Sequence, residues 1–342
     1  MLQRFTIISA AVLLLLTAAV ADRSVSELST ATPGGDIIVR TGAAENADPF
    51  LAGQEAAEAL RDAMGGTEPH VVFVSECFER KADKVKVLAG VASVFDRQRI
   101  CGGSSYGMFT QAGVADLDAV ALLGIGGDGV GVTVALQKKM GAKGLSMEED
   151  EPELTGALNG AGASLADRLP DPETAALVIV LSDAHSPKNQ LLLDGVQLVL
   201  GADAPVTGGS VNKNAGQNWV YYKGKPHTDA AIAIMLTGDF DVALAGRQAK
   251  DNDAVISTAR EGSAAVLDGL GKPPLAVLAF DCGGRMGKLD DLSDELAAIR
   301  ESIGDTVPLF GCYCAGEIGP TEDDDTISYG EGWHVMLTAL GQ

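Results

Sequence analysis

Three stretches of this chain repeat one layout, and that repetition limits the folds open to it more than any other feature. An apolar strand ends at an acidic residue, a helix follows, then a second strand, then a corner of small residues. In the first copy Val71-Val72-Phe73-Val74 ends at Ser75-Glu76-Cys77, a helix covers 81–95 and the corner is Gly102-Gly103. In the second, Leu177-Val178-Ile179-Val180-Leu181 ends at Ser182-Asp183, a helix covers 187–200 and the corner is Gly208-Gly209. In the third, Leu275-Ala276-Val277-Leu278-Ala279-Phe280 ends at Asp281-Cys282, a helix covers 292–303 and the corner begins at Gly311. Unbroken apolar runs of this length read as strands buried on both faces. The expected fold class is therefore α/β, built of repeated strand-helix-strand units with hairpin additions that form mixed β-sheets.

Each corner is followed by hairpin-like sequence. The stretches are 119–135 around Gly126-Gly127-Asp128-Gly129, 219–236 around Lys223-Gly224-Lys225-Pro226, and 326–340 around Gly330-Glu331-Gly332. Residues 124–129 also match G-x-G-x-x-G, but a dinucleotide site needs a helix immediately afterwards. Val130-Gly131-Val132-Thr133-Val134 alternates like a strand, so a hairpin is the expectation there. The segment 139–172 interrupts the pattern. Its Glu148-Glu149-Asp150-Glu151 run reads as the solvated face of a surface helix. Upstream, Asp48-Pro49 supplies a cap and a first-turn proline for an Ala-rich helix.

Composition narrows the partners. The 342 residues carry a formal charge of −22, which repels phosphate backbones and anionic lipid, so no nucleic-acid partner is expected. Arg4, the apolar run 5–16 and Ala19-Val20-Ala21 have the layout of a cleaved secretory signal. Periplasmic or secreted localisation follows, with no membrane span once the signal is removed. The expected organisation is a signal peptide at 1–21, a Ser/Thr/Pro/Gly-rich flexible leader at 22–35, one domain over 36–252 and another over 253–342. The five cysteines lack C-x-x-C spacing, so no metal and no cofactor is expected, and at least one thiol stays unpaired.

The stretch 307–320 is the most pointed chemical signal. It runs from a buried-type strand into Gly311-Cys312-Tyr313-Cys314-Ala315-Gly316-Glu317, where small residues let a ligand approach the backbone. Glu317 reads either as a contact for an amino or hydroxyl group or as a buried acid bonding turn amides. The candidate ligand-binding residues are Gly311, Tyr313, Cys314, Gly316 and Glu317, with Gly102, Gly103, Ser104 and Ser105 at the first corner and Asp281 at a strand end. Acids at strand ends either border a ligand crevice or cap the next helix. No catalytic residue is assigned. The alternative is a thiol- or serine-dependent enzyme at a glycine corner, using Cys314, Cys77 or Ser104 with a base within reach.

Gly311-Cys312-Tyr313-Cys314-Ala315-Gly316-Glu317-Ile318-Gly319-Pro320 resembles the G-x-Y-x-x-G-E-I-x-P signature of the FIST C-terminal domain. Asp48-Pro49 with its helix, the 71–75 strand and Gly102-Gly103-Ser104-Ser105-Tyr106-Gly107 resemble the FIST N-terminal domain. The resemblance spans about 37–340. It implies a sensory module for signal transduction that binds a small-molecule ligand such as an amino acid, rather than an enzyme. It names no protein partner. The exported chain is expected to begin at Asp22. N-terminal sequencing of exported material that returned an intact Met1 would remove the cleaved signal.

Overall fold

The three layouts fold into three copies of one unit. A computed structural model describes residues 24–213 and 218–342. An initial strand β1 (Val25–Ser29) precedes the first unit. That unit runs β2 (Ile38–Glu45), α1 (Pro49–Ala63), β3 (Pro69–Glu76), α2 (Lys81–Val91), β4 (Ile100–Ser104), β5 (Met108–Thr110), β6 (Gly113–Ala115) and β7 (Ala119–Gly126). The second runs β8 (Gly131–Lys138), α3 (Glu151–Ala166), β9 (Leu177–Ser182), α4 (Lys188–Leu200), β10 (Val206–Ser210), β11 (Val220–Tyr222), β12 (Lys225–His227) and β13 (Ala230–Thr237). The third runs β14 (Asp241–Gln248), α5 (Asn252–Asp268), β15 (Pro274–Cys282), α6 (Gly283–Met286), α7 (Leu292–Ile303), β16 (Leu309–Cys314), β17 (Glu317–Gly319), β18 (Tyr329–Glu331) and β19 (His334–Gly341).

Every unit builds the same four-stranded core: β2-β7-β3-β4, β8-β13-β9-β10 and β14-β19-β15-β16. The two central apolar strands of each layout pair in parallel, joined by their helix, and the remaining pairs are antiparallel. The sheets are completed by exchange. Hairpin β5-β6 of the first unit adds to β16 of the third. Hairpin β11-β12 of the second adds to β4 of the first, and β17-β18 of the third adds to β10 of the second.

Strand alternation divides the side chains into two layers. Phe73, Cys101, Ile179, Leu181, Phe280, Phe310 and Met336 point inward into one apolar core shared by all three sheets. The Phe73 ring lies edge-on to Phe310 and Phe280, at 5.2 and 6.2 Å between centroids. Val72 and Val74, Val178 and Val180, and Val277 and Ala279 face outward, each pair under its own two helices. The first helix starts at the cap its sequence predicts, and a second aspartate cap stands at the start of α7. Asp48 accepts from the Phe50 and Leu51 amides, and Asp291 from Ser293.

Several expectations change. The 119–135 stretch is not a hairpin: β7 pairs with β2 and β3, whereas β8 pairs with β1 and β13 in another sheet. The glycine turn therefore carries the chain between units, and no helix follows it. Likewise β13 does not pair with β11 or β12, and β19 pairs with β14 and β15 rather than β18. The segment 139–172 does not break the repeat, because α3 is the counterpart of α1 and α5 and buries Leu154, Leu158 and Leu165. Part of the expected flexible leader is strand β1, whose backbone is held along β8. The expected signal at 1–21 lies outside the described residues. No helix among the described residues is long and apolar enough to cross a membrane.

The outward acids sit in buried ion clusters. Lys84 of α2 donates to Glu76 at 2.9 Å with both side chains fully buried, and Tyr221 donates to the same carboxylate. In the third unit Arg285 binds Asp281 at 2.8 Å and Glu295 at 2.7 Å, and Tyr313 donates to Glu295. Removing one member of a buried pair strands the other charge without solvent. Arg285→Leu and Lys84→Met are each expected to lower unfolding free energy by about 3–5 kcal/mol in urea titrations. Losses under about 1 kcal/mol would show that the acids need no cation.

Candidate functional site

Strand register decides which residues share a face, and it sorts the three strand-end acids. Glu76 pairs with Ser104, Ser182 with Ser210 and Asp281 with Tyr313, so 76, 182 and 281 are equivalent. Asp183 lies one residue further on, level with Cys77 and Cys282. A one-residue step turns a side chain to the other face. Glu76 and Asp281 therefore point outward to their helices, while Asp183 borders the inner side. Asp281 caps a buried cluster through Arg285 and the Cys282 amide rather than lining a cavity.

The first-corner residues are similarly divided. Ser104 faces outward and exchanges hydrogen bonds with the Trp219 backbone. Ser105 faces inward and accepts from Ser75 at 2.8 Å. Gly103, Ser104, Ser105 and Cys314 border a central cavity of about 10 Å³, room for no more than one water. A side chain at Gly102 would strike the Val74 carbonyl, and one at Gly311 would strike the Phe109 ring from β5. Those two glycines serve close packing. Tyr313 faces outward to Glu295.

A cleft of about 520 Å³ opens at the carboxyl ends of β15 and β16. The third unit contributes Cys282, Gly283, Gly284, Cys314, Gly316 and Trp333; the second gives His185, Ser186 and Lys213; the first gives Tyr106. Only Cys314 and Gly316 of the sequence candidates line it. Tyr106 ties the three units together there. Its hydroxyl accepts from the Lys213 amide, and its ring fills the space beside Gly283. A neighbouring hollow of about 330 Å³ shares His185, Ser186 and Lys213, and adds Lys143, Asp183, Lys188 and Asp229.

Glu317 lies behind the cleft wall. It is fully buried and accepts from the Gly316 amide at 3.1 Å and the His334 amide at 3.2 Å. Burial, with the Asp281 charge, pushes its carboxyl well above the usual carboxylate range. Of its two sequence readings, this geometry is that of a buried acid holding turn amides. Burial and then Glu317 push the Cys282 thiol up to about 12. The hydrogen bond with Cys312, then burial, raises Cys314 as well, their sulfurs being 3.7 Å apart. Burial lowers His185 to about 4, helped by Lys213, and burial raises Asp183 to about 6.

The hydrogen bonds of Cys314 and Cys77 run to main-chain groups or to Cys312, and Ser104 meets the Trp219 backbone and the Tyr221 hydroxyl; among the described residues none of these partners is a basic side chain. Among the described residues, no group of three or more His, Cys, Asp or Glu is placed to hold a metal ion. All five cysteines are buried free thiols.

Solved structures resembling the chain include cyanuric acid hydrolase from A. caulinodans, at 13% identity and TM-score 0.44 over 90% of this chain and 100% of that one. A second cyanuric acid hydrolase structure gives 10% identity and TM-score 0.45 over 90% and 99%. Likenesses this distant carry no functional argument. Two uncharacterised Mycobacterium tuberculosis proteins, from strains CDC 1551 / Oshkosh and ATCC 25618 / H37Rv, are 38% identical over 74 residues. That match spans 22% of this chain and 18% of each relative, less than a fifth of their length. The FIST N domain matches residues 70–268 and the FIST C domain residues 234–320. With the two matches covering most of the three-unit body, the chain belongs to the FIST family, whose domains are sensory and bind small ligands.

Proposed function

We propose that this chain is an exported sensory protein that holds a small metabolite, such as an amino acid, in the cleft where its three units meet. The observation that carries this reading is the cleft itself. Its volume of about 520 Å³ suits a small molecule, and one wall comes from each unit. A ligand there would bridge the second and third units, so binding is coupled to their relative placement. The reading is a receptor, without cofactor, rather than a thiol enzyme. A nucleophilic cysteine needs a lowered pKa and an adjacent base, whereas Cys282 and Cys314 are both raised.

Charge supports an acidic group on the ligand. Burial raises the Glu317 carboxyl well above the usual carboxylate range and His185, lowered to about 4, is neutral at pH 7, while Lys213 stands at the junction of cleft and hollow. The nearby negative charges in the hollow are Asp183 and Asp229, with Lys143 and Lys188 opposing them.

A thermal-shift panel of amino acids and small metabolites, followed by calorimetric titration, tests the reading. Failure of every compound would remove it. The pH dependence has a definite sign. Asp183, raised to about 6, gains its proton as pH falls from 7.5 to 5, while His185 stays uncharged until about 4. The surroundings thus lose one negative charge over that window. Binding of an anionic ligand is expected to tighten by about two- to fivefold, and Asp183→Asn is expected to remove the change.

Glu317→Gln tests the scaffold role. The amide nitrogen of Gln can accept from neither turn amide, so one buried donor loses its partner. The variant is expected to lose about 1–3 kcal/mol of stability in a melting curve while keeping the affinity of the folded protein. Weaker ligand binding with unchanged melting would return Glu317 to the site.

A further inference from the structure

Trp333 departs from the repeat in a way that points at the ligand. In each unit the residue just before the last long strand has a left-handed backbone: Asp118 at φ 48°, Asp229 at φ 48° and Trp333 at φ 68°. Its carbonyl does the same work in all three, accepting from the Asn46, Met140 and Ala249 amides at 3.0, 3.2 and 3.1 Å. The fold therefore imposes this conformation, while the side chain's task differs between units: Asp229 accepts from the Gly141 amide at 3.1 Å. Aspartate tolerates it, whereas a bulky aromatic residue adopts it at a cost in backbone strain. Strain of this kind collects at functional sites. Only the third unit has the aromatic residue, and there the side chain becomes part of the cleft wall.

The ring is seated on a surface made for it. A side chain at Gly284 would stand 3.2 Å from the indole, and one at Gly283 would stand 2.5 Å from the Tyr106 ring. The adjacent glycines thus leave room for one aromatic ring from each of two units against one short stretch of backbone. The Lys288 ammonium stands 5.8 Å from the indole centroid. Lys213 is exposed and lines the same cleft, and its ammonium enters no ion pair among the described residues.

We propose that the cleft takes a planar, ring-bearing carboxylate, with its ring against the Trp333 indole and its carboxylate toward Lys213. This rests on the small-ligand reading of the cleft and names the ligand class. A saturated ring of the same size loses face-to-face contact with the indole, and a ring without charge loses the ammonium.

The test titrates the full chain calorimetrically with benzoate, cyclohexanecarboxylate and benzyl alcohol. Benzoate is expected to bind about tenfold more tightly than either of the others. Trp333→Asn should melt no lower than the parent, because Asn accepts the left-handed backbone, and its benzoate-to-cyclohexanecarboxylate ratio should fall to about one. Trp333→Phe should restore the preference. Equal binding of benzoate and cyclohexanecarboxylate by the parent chain overturns the planar-ring assignment but keeps a small-ligand cleft. Failure to bind any of the three probes overturns the assignment, and if the metabolite panel fails as well, the receptor reading falls with it. The parent ratio decides the matter even if a variant does not fold.

Discussion

Backbone hydrogen bonds that each unit cannot make for itself govern the rest of this structure. The second parallel strand of every unit would end its sheet with a bare row of amides and carbonyls. In each case another unit's hairpin supplies the partners: Met108–Thr110 against β16, Val220–Tyr222 against β4, and Glu317–Gly319 against β10. This requirement explains the glycine corners better than ligand contact does. Gly311 leaves room for Phe109 on the incoming hairpin, and Gly209 leaves room for Cys314. The cleft is a by-product of the same exchange, formed where three closed seams converge.

Polar groups at the strand ends are divided by face. Outward positions are taken up in ion clusters sealed under helices, with Lys84 and Arg285 meeting the acids. Buried ion pairs of this kind set geometry more reliably than they add stability. Inward positions are poor in permanent charge: Cys77, Cys282 and Cys314 are buried thiols, and Asp183 is half-buried beside Asp229. A cleft wall of that composition leaves the electrostatic character of the site to lysines at its mouth.

Much of the scaffold was legible because it depends on local rules. Unbroken apolar runs gave the parallel strands, Asp48-Pro49 marked a helix start, and the spacing of the three layouts gave the repeat. Hairpin assignments failed for a physical reason. The Gly127-Asp128-Gly129 turn and the alternation after it look the same whether two strands pair with each other or with strands in separate sheets. The site was legible only in part. Cys314 and Gly316 lie on a local motif, but Tyr106, His185, Lys213 and Trp333 are brought together from more than two hundred residues of chain. Trp333 had a faint signal, since it holds the place of Asp118 and Asp229. That equivalence appears only once each last strand is aligned with its partner.

The exchange of hairpins also fixes a copy number. Solenoid repeats hand contacts from one unit to the next along an open line, so they can lengthen by duplication and need special units at their ends. Here the first unit clasps the third, the second clasps the first and the third clasps the second, which closes the circuit at three. A fourth unit would have to break a clasp already made before it could offer one of its own. Divergence within this architecture is therefore channelled away from adding units and into changing single residues inside them, as the aspartate-to-tryptophan difference between otherwise matching positions illustrates.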